Sequence, residues 1–145
     1  TDKLLLNSFL LEACWNGHEQ DVGQLLAKGA EPDMDNDYQP LHIAAANGHQ
    51  AVVQMLLAAG ADTEAMTRVR GNKMNSQETP LIIAATQGYE EVVRSLLAAG
   101  ADMESRNSKQ GTALHIAAFQ GQETMVQMLL AAGADMEARN NYQGT

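Results

Sequence analysis

The residues of this chain able to do chemistry are few and poorly grouped. Four histidines stand at His18, His42, His49 and His115, one cysteine at Cys14, and a carboxylate run at Asp33, Asp35 and Asp37. No histidine is accompanied by a nucleophile and an acid arranged for acyl transfer. Asp33-Met34-Asp35-Asn36-Asp37 imitates the first half of a calcium-binding loop. The imitation fails at the sixth position, where glycine is required and Tyr38 stands, and at the twelfth, where Ala44 replaces glutamate. The run reads as a solvated acidic loop. A lone Cys14 builds neither an internal disulfide nor a cysteine zinc site, and it reads as a buried structural thiol. No glycine-rich phosphate loop follows a strand. We therefore expect no catalytic residue, no metal site and no cofactor.

Charge narrows the partners. With 18 acidic and 9 basic residues the net charge is −9, which repels a phosphate backbone and argues against nucleic acid. A protein partner, basic or mixed in charge, is expected. No run of 18 apolar residues exists, so no membrane span is expected, and Thr1-Asp2-Lys3-Leu4-Leu5-Leu6 is too short for a signal-peptide apolar region. The expectation is a soluble, cytoplasmic chain, monomeric alone; a periplasmic or secreted form would require that an export signal had been removed.

The elements that must position any binding residue are punctuated by glycine. Leu-Leu, a short spacer and Gly-Ala recur with glycines at Gly29, Gly60, Gly100 and Gly133, and a second glycine precedes each by twelve positions, at Gly17, Gly48, Gly88 and Gly121. The distance between copies varies, so the variable length lies in a loop between units of fixed size. Apolar pairs at Val52, Val53, Leu56 and Leu57, at Val92, Val93, Leu96 and Leu97, and at Met125, Val126, Leu129 and Leu130 mark a second helix in each unit with a wide apolar stripe. Thr79 and Thr112 are suited to cap the first helix, and Pro40 and Pro80 to its first position. Met34, Met103 and Met136 in the loops and Met55, Met125 and Met128 in the second helices read as core filling.

Gln39-Pro40-Leu41-His42-Ile43-Ala44-Ala45, Thr79-Pro80-Leu81-Ile82-Ile83-Ala84-Ala85 and Thr112-Ala113-Leu114-His115-Ile116-Ala117-Ala118 are three versions of one T-P-L-H-x-A-A signature, each followed by Gly and later by Leu-Leu-Ala-Ala-Gly-Ala-Asp. The chain thus resembles the ankyrin-repeat family, whose period is about 33 residues. The resemblance implies an all-α solenoid of stacked helix-turn-helix units with projecting β-turn loops. It divides residues 1–145, one domain, into repeats at about 4–33, 34–66, 74–106 and 107–139, with an insertion at about 67–73 and the start of a further loop at 140–145. It also makes His42 and His115 scaffold residues. The first copy reads as an N-terminal cap, because Asp21 stands where the others carry Val52, Val92 and Met125. The loop after Gly133 stops at Thr145, where a helix should open, so the apolar face of the last helix pair is expected to be partly open.

In this family the partner meets a concave groove lined by first helices and loop tips. Carried over by position, the partner-binding residues are Trp15 and Asn16, Ala46 and Asn47, Thr86 and Gln87, and Phe119 and Gln120 at helix ends, with Asp37, Tyr38, Glu78, Lys109 and Tyr142 in loops. Arg68, Arg70 and Lys73 of the insertion add possible electrostatic contacts, facing either a partner or the acidic first loop. The expected function is non-catalytic protein binding, as a stoichiometric inhibitor or immunity-type regulator of a partner enzyme; a scaffold module of a larger protein is the alternative.

Overall fold

The computed structural model describes residues 3–34, 38–67 and 77–135. Among them it contains eight helices and no strand. They are α1 (Lys3–Asn16), α2 (Glu19–Ala27), α3 (Pro40–Ala46), α4 (Gln50–Ala58), α5 (Pro80–Gln87), α6 (Glu90–Ala98), α7 (Ala113–Phe119) and α8 (Glu123–Ala131). Each odd-numbered helix packs on the even-numbered one that follows it. The first helices line up as α1–α3–α5–α7, and the second helices as α2–α4–α6. The architecture is the expected all-α solenoid.

The local chemistry of each unit explains its ends. Thr79 Oγ1 accepts the Ile82 amide at 3.3 Å and Thr112 Oγ1 accepts the His115 amide at 3.4 Å, capping α5 and α7. Pro40 and Pro80 open their helices, where the missing N–H is no loss. Second helices end in a 6→1 turn: Ala30, Ala61, Ala101 and Ala134 each donate to the carbonyl of the leucine five residues earlier at 3.0 Å. The glycine inside that turn is left-handed, with φ +92° at Gly60. Together these bonds account for the Leu-Leu-x-x-Gly-Ala spacing.

One core runs through the stack. Val52, Val53 and Leu56, their equivalents Val92, Val93 and Leu96, and Met125 and Leu129 are buried, as are Ala44, Ala45, Ala84 and Ala85 where the helices approach closely. Met34, Met55 and Met128 are partly buried against it. Cys14 is fully buried among them, and burial pushes its thiol up to about 12, so it stays protonated and inert.

Two contacts join each unit to the next, a side chain resting on a glycine and a carboxylate hydrogen bond. The residue just before each second helix sits on the first glycine of the preceding unit: a methyl group at Gly17 would lie 2.6 Å from His49 Nδ1, and one at Gly48 would lie 2.9 Å from Tyr89 Cε1. His49 Nε2 also donates to the Trp15 carbonyl at 3.0 Å. Gln122 takes the same place over Gly88, and nothing lies within 4 Å of Gly121. The second contact is a carboxylate ladder. Asp33 Oδ1 accepts the Asp62 amide at 2.9 Å, Glu64 Oε1 accepts the Asp102 amide at 3.1 Å, and Glu104 Oε1 accepts the Asp135 amide at 2.8 Å. Asp33, read from sequence as part of a solvated acidic loop, is therefore an inter-repeat strut.

The first unit closes itself. Phe9 stands in the register of Pro40 and Pro80, so nothing stops the helix there and α1 runs back to Lys3. From that extension Asn7 Oδ1 accepts the Glu31 amide at 3.0 Å, and Lys3 Nζ pairs with Glu31 Oε1 at 2.7 Å. The Lys3 bond and charge hold the Glu31 carboxyl below the usual range. Asp21 is exposed. At the other end Ala118 is exposed, whereas its equivalents Ala45 and Ala85 are fully buried.

Thr67 corrects the boundary of the insertion. It is buried, its amide donates to the Glu78 carbonyl at 3.0 Å, and its hydroxyl accepts the Glu78 amide at 3.1 Å. Asn107 and Gly111 make the same pair of bonds in the next loop, at 3.0 and 2.9 Å. The extra length therefore lies between Thr67 and Glu78, and Thr67 belongs to the closure.

Two stability predictions follow from this bonding. Leu96→Ala is expected to lower unfolding free energy by about 2–5 kcal/mol in urea denaturation, since Leu96 is fully buried in an interior unit; a loss under about 0.5 kcal/mol would remove it from the core. Gly48 and Gly121 share φ values of +72° and +71°. Gly121→Ala is expected to cost about 1 kcal/mol of left-handed strain alone, while Gly48→Ala costs at least about twice that by displacing Tyr89. Equal losses would show that the Tyr89 seat contributes nothing.

Candidate protein-binding face

Because the first helices stack in register, equivalent positions at their C-terminal ends fall into a row. That row holds Trp15, Ala46, Thr86 and Phe119, and beside it Asn16, Asn47, Gln87 and Gln120. Trp15 is 62% exposed and Phe119 82%, whereas Ala46 and Thr86 between them are half-buried. The row is thus small in the middle and aromatic at both ends. Thr86 Oγ1 donates to the Ile82 carbonyl at 2.8 Å, and Asn47 Nδ2 donates to the Ile43 carbonyl at 2.8 Å. Gln120 Oε1 accepts from Gln122 Nε2 at 2.6 Å. Asn16 and Gln87 are exposed.

The loop residues lie elsewhere. Tyr38, Glu78 and Lys109 precede the N-terminal ends of α3, α5 and α7, so the two sets stand at opposite ends of helices of seven or eight residues, roughly 10–12 Å apart at 1.5 Å per residue. The helix-end residues and the described loop residues thus form two rims. Tyr38 is 47% exposed. Burial raises the Glu78 carboxyl above the ordinary carboxylate range. Lys109 rides on a braced tip, where Asn107 Oδ1 accepts both the Lys109 and Gly111 amides and Arg106 Nη1 donates to the Gln110 carbonyl. Asp37, Arg68, Arg70, Lys73 and Tyr142 lie outside the described residues.

Sequence reasoning missed four neighbours of the row. Ile43 and Ile116, half-buried, and Ile83, buried, lie one turn before the helix ends, and Glu12 takes their place in α1. The signal was a single acidic residue at a position otherwise always isoleucine. Glu12 also lines an open cavity of about 300 Å³ at the N-terminal end of the stack, with Phe9, Ala13 and Asn16 from α1 and His18, Asp21, Gln24, Leu25 and Lys28 from α2 and its ends. His18 Nδ1 lies 3.6 Å from Asp21 Oδ2 there.

A family model described as ankyrin repeats, three copies, matches residues 5–67 and again 66–140. The chain belongs to the ankyrin-repeat family. Ankyrin repeats are protein–protein interaction modules, so the exposed helix ends and loop tips lie on a scaffold of a known binding class. No curated protein matches the chain. Among the described residues no helix is long and apolar enough to cross a membrane, and no group of three or more histidine, cysteine or acidic side chains is placed to hold a metal ion.

The signature histidines of the repeats are tied into the scaffold. His42 Nδ1 accepts the Gln39 amide at 2.9 Å, and its Nε2–H donates to the Ala65 carbonyl at 2.7 Å. His115 Nδ1 accepts the Thr112 amide at 3.0 Å. These roles close capping boxes at the starts of α3 and α7. Desolvation holds the buried His42 imidazole below its ordinary range, against weaker opposing pulls from the Ala65 carbonyl and Asp62. The unfolded chain therefore takes up this proton more readily than the folded chain does, near pH 6.5. His42 contributes stability above that pH, and the contribution is lost as pH falls below it. The urea midpoint is expected to drop more steeply between pH 7 and pH 5 in the parent than in His42→Ile, which copies the Ile82 of the third repeat. Parallel slopes would assign the dependence to other groups.

Proposed function

We propose that this chain is a non-catalytic binding module that holds a partner protein against the ends of its first helices and its loop tips. The observation that carries the reading is the exposure of Trp15 and Phe119 in one register row. The chain has one tryptophan and two phenylalanines in all; all three are exposed, and Trp15 and Phe119, the two most exposed, stand at equivalent positions of the first and fourth units. Large aromatic side chains held on rigid helix ends are typical anchors of a protein interface, because they bury much area and lose little entropy. The braced Lys109 loop and the half-exposed Tyr38 give the second rim. Action by occupancy follows, so a stoichiometric inhibitor or regulator of the bound protein fits a compact acidic stack of this kind.

The test is affinity capture by the parent and by a Trp15→Ala/Phe119→Ala variant, with circular dichroism of both. Each truncation is expected to weaken the complex by at least about 1 kcal/mol, about fivefold in Kd, with helical content unchanged. Undiminished capture by the folded double variant would move the interface away from this row.

A further inference from the structure

The row of helix ends carries no charged side chain in a chain whose net charge is −9. It carries instead one carboxamide per unit, at Asn16, Asn47, Gln87 and Gln120. A carboxamide presents the same donor and acceptor as a peptide group. Asn47, whose NH₂ is engaged by Ile43, offers its oxygen; Gln120, whose oxygen is engaged by Gln122, offers its NH₂. Such a strip is complementary to main chain. A helical partner has already paired its backbone groups internally, so the row matches a segment that has not.

Length and polarity can be read as well. Stacked helices lie about 8–10 Å apart, so the three spacings from α1 to α7 cover roughly 24–30 Å. An extended chain rising about 3.3 Å per residue spans that with about eight or nine residues. At the α7 end the row terminates in the exposed ring of Phe119. The α1 end is different: Glu12 stands one turn before Trp15 on the same helix and shares the terminal cavity with Asp21. Two carboxylates outweigh the single Lys28 in that lining. A carboxylate pair lining one open cavity suits a guanidinium or ammonium group, which gains charge-assisted hydrogen bonds there.

We propose that the partner enters as an extended, unpaired segment of about eight or nine residues, lying across α1, α3, α5 and α7. Its main chain meets the carboxamide row, a large apolar side chain covers Phe119, and a basic side chain lodges at the Trp15 end between Glu12 and Asp21. This rests on the protein-binding reading and specifies the form of what is bound.

The experiment selects binders of the whole chain from two display libraries, one of random peptides about twelve residues long, enough to span the row, and one of small folded domains. Selected peptides are expected to share a basic residue and a large apolar residue about six to eight positions apart. Their binding should shift the emission of Trp15, the chain's one tryptophan. Phe119→Ala is expected to weaken them about fivefold. The pair Glu12→Gln/Asp21→Asn should weaken a selected peptide by a similar factor, yet leave unchanged the same peptide with its basic residue replaced by glutamine. Selected peptides without a basic residue, or equal losses for both peptides in the Glu12/Asp21 variant, would overturn the proposal. Folded domains that bind the row while no peptide does would overturn the extended segment and leave the protein-binding reading standing. No binder from either library would sink both.

Discussion

Everything in this stack depends on each unit being completed by its neighbour. A single helix pair cannot bury its own apolar stripe, and it leaves a main-chain amide at the start of each loop without an internal partner. The next or previous unit supplies what is missing twice over: a side chain seated on a bare glycine, and a carboxylate beneath an orphan amide. Because these contacts reach only one unit away, order propagates along the chain rather than radiating from a centre. The binding face inherits this logic. The seams between α1, α3, α5 and α7 set the separation of Trp15 and Phe119.

The two seam contacts also explain why the first unit differs. In this unit the amide at Glu31, the equivalent of Asp62 and Asp102, is met from within its own helix pair rather than by another unit's carboxylate. The loss of proline at Phe9 lets α1 grow backwards until Asn7 reaches that amide and Lys3 reaches the Glu31 side chain. Phe9 and Glu12, both departures from the repeat signature, line the same cavity.

Much of the fold was legible in the residues because glycine and proline act locally. Gly60 and its equivalents stop a helix whatever surrounds them, and Thr-Pro starts one. The ladder was not legible. Asp33, Glu64 and Glu104 look like solubilising charges, and the amides they hold lie about thirty to forty residues away, at Asp62, Asp102 and Asp135. Thr67 was misassigned for a related reason, since only its pairing with Glu78 across the loop shows that it closes the turn. On the face, Trp15 and Phe119 were reached by position, at the first-helix ends that the family's partners meet. The separation of the helix ends from Tyr38, Glu78 and Lys109 required knowing helix length and direction, and the cavity at Glu12 and Asp21 required two helices to be placed side by side.

The seat over Gly48 has a mechanical meaning. A tyrosine ring resting on a glycine, beside a single carboxylate bond at the loop, makes a joint that is stiff against sliding and compliant in bending. Three joints of this kind, seated by His49, Tyr89 and Gln122, lie in series between the first and fourth units, and compliances in series add. The curvature of the row is therefore softer than any single helix pair, and whatever grips both of its ends feels the stack as a spring whose rest length is set by these seats and the carboxylate bonds rather than by the helices themselves.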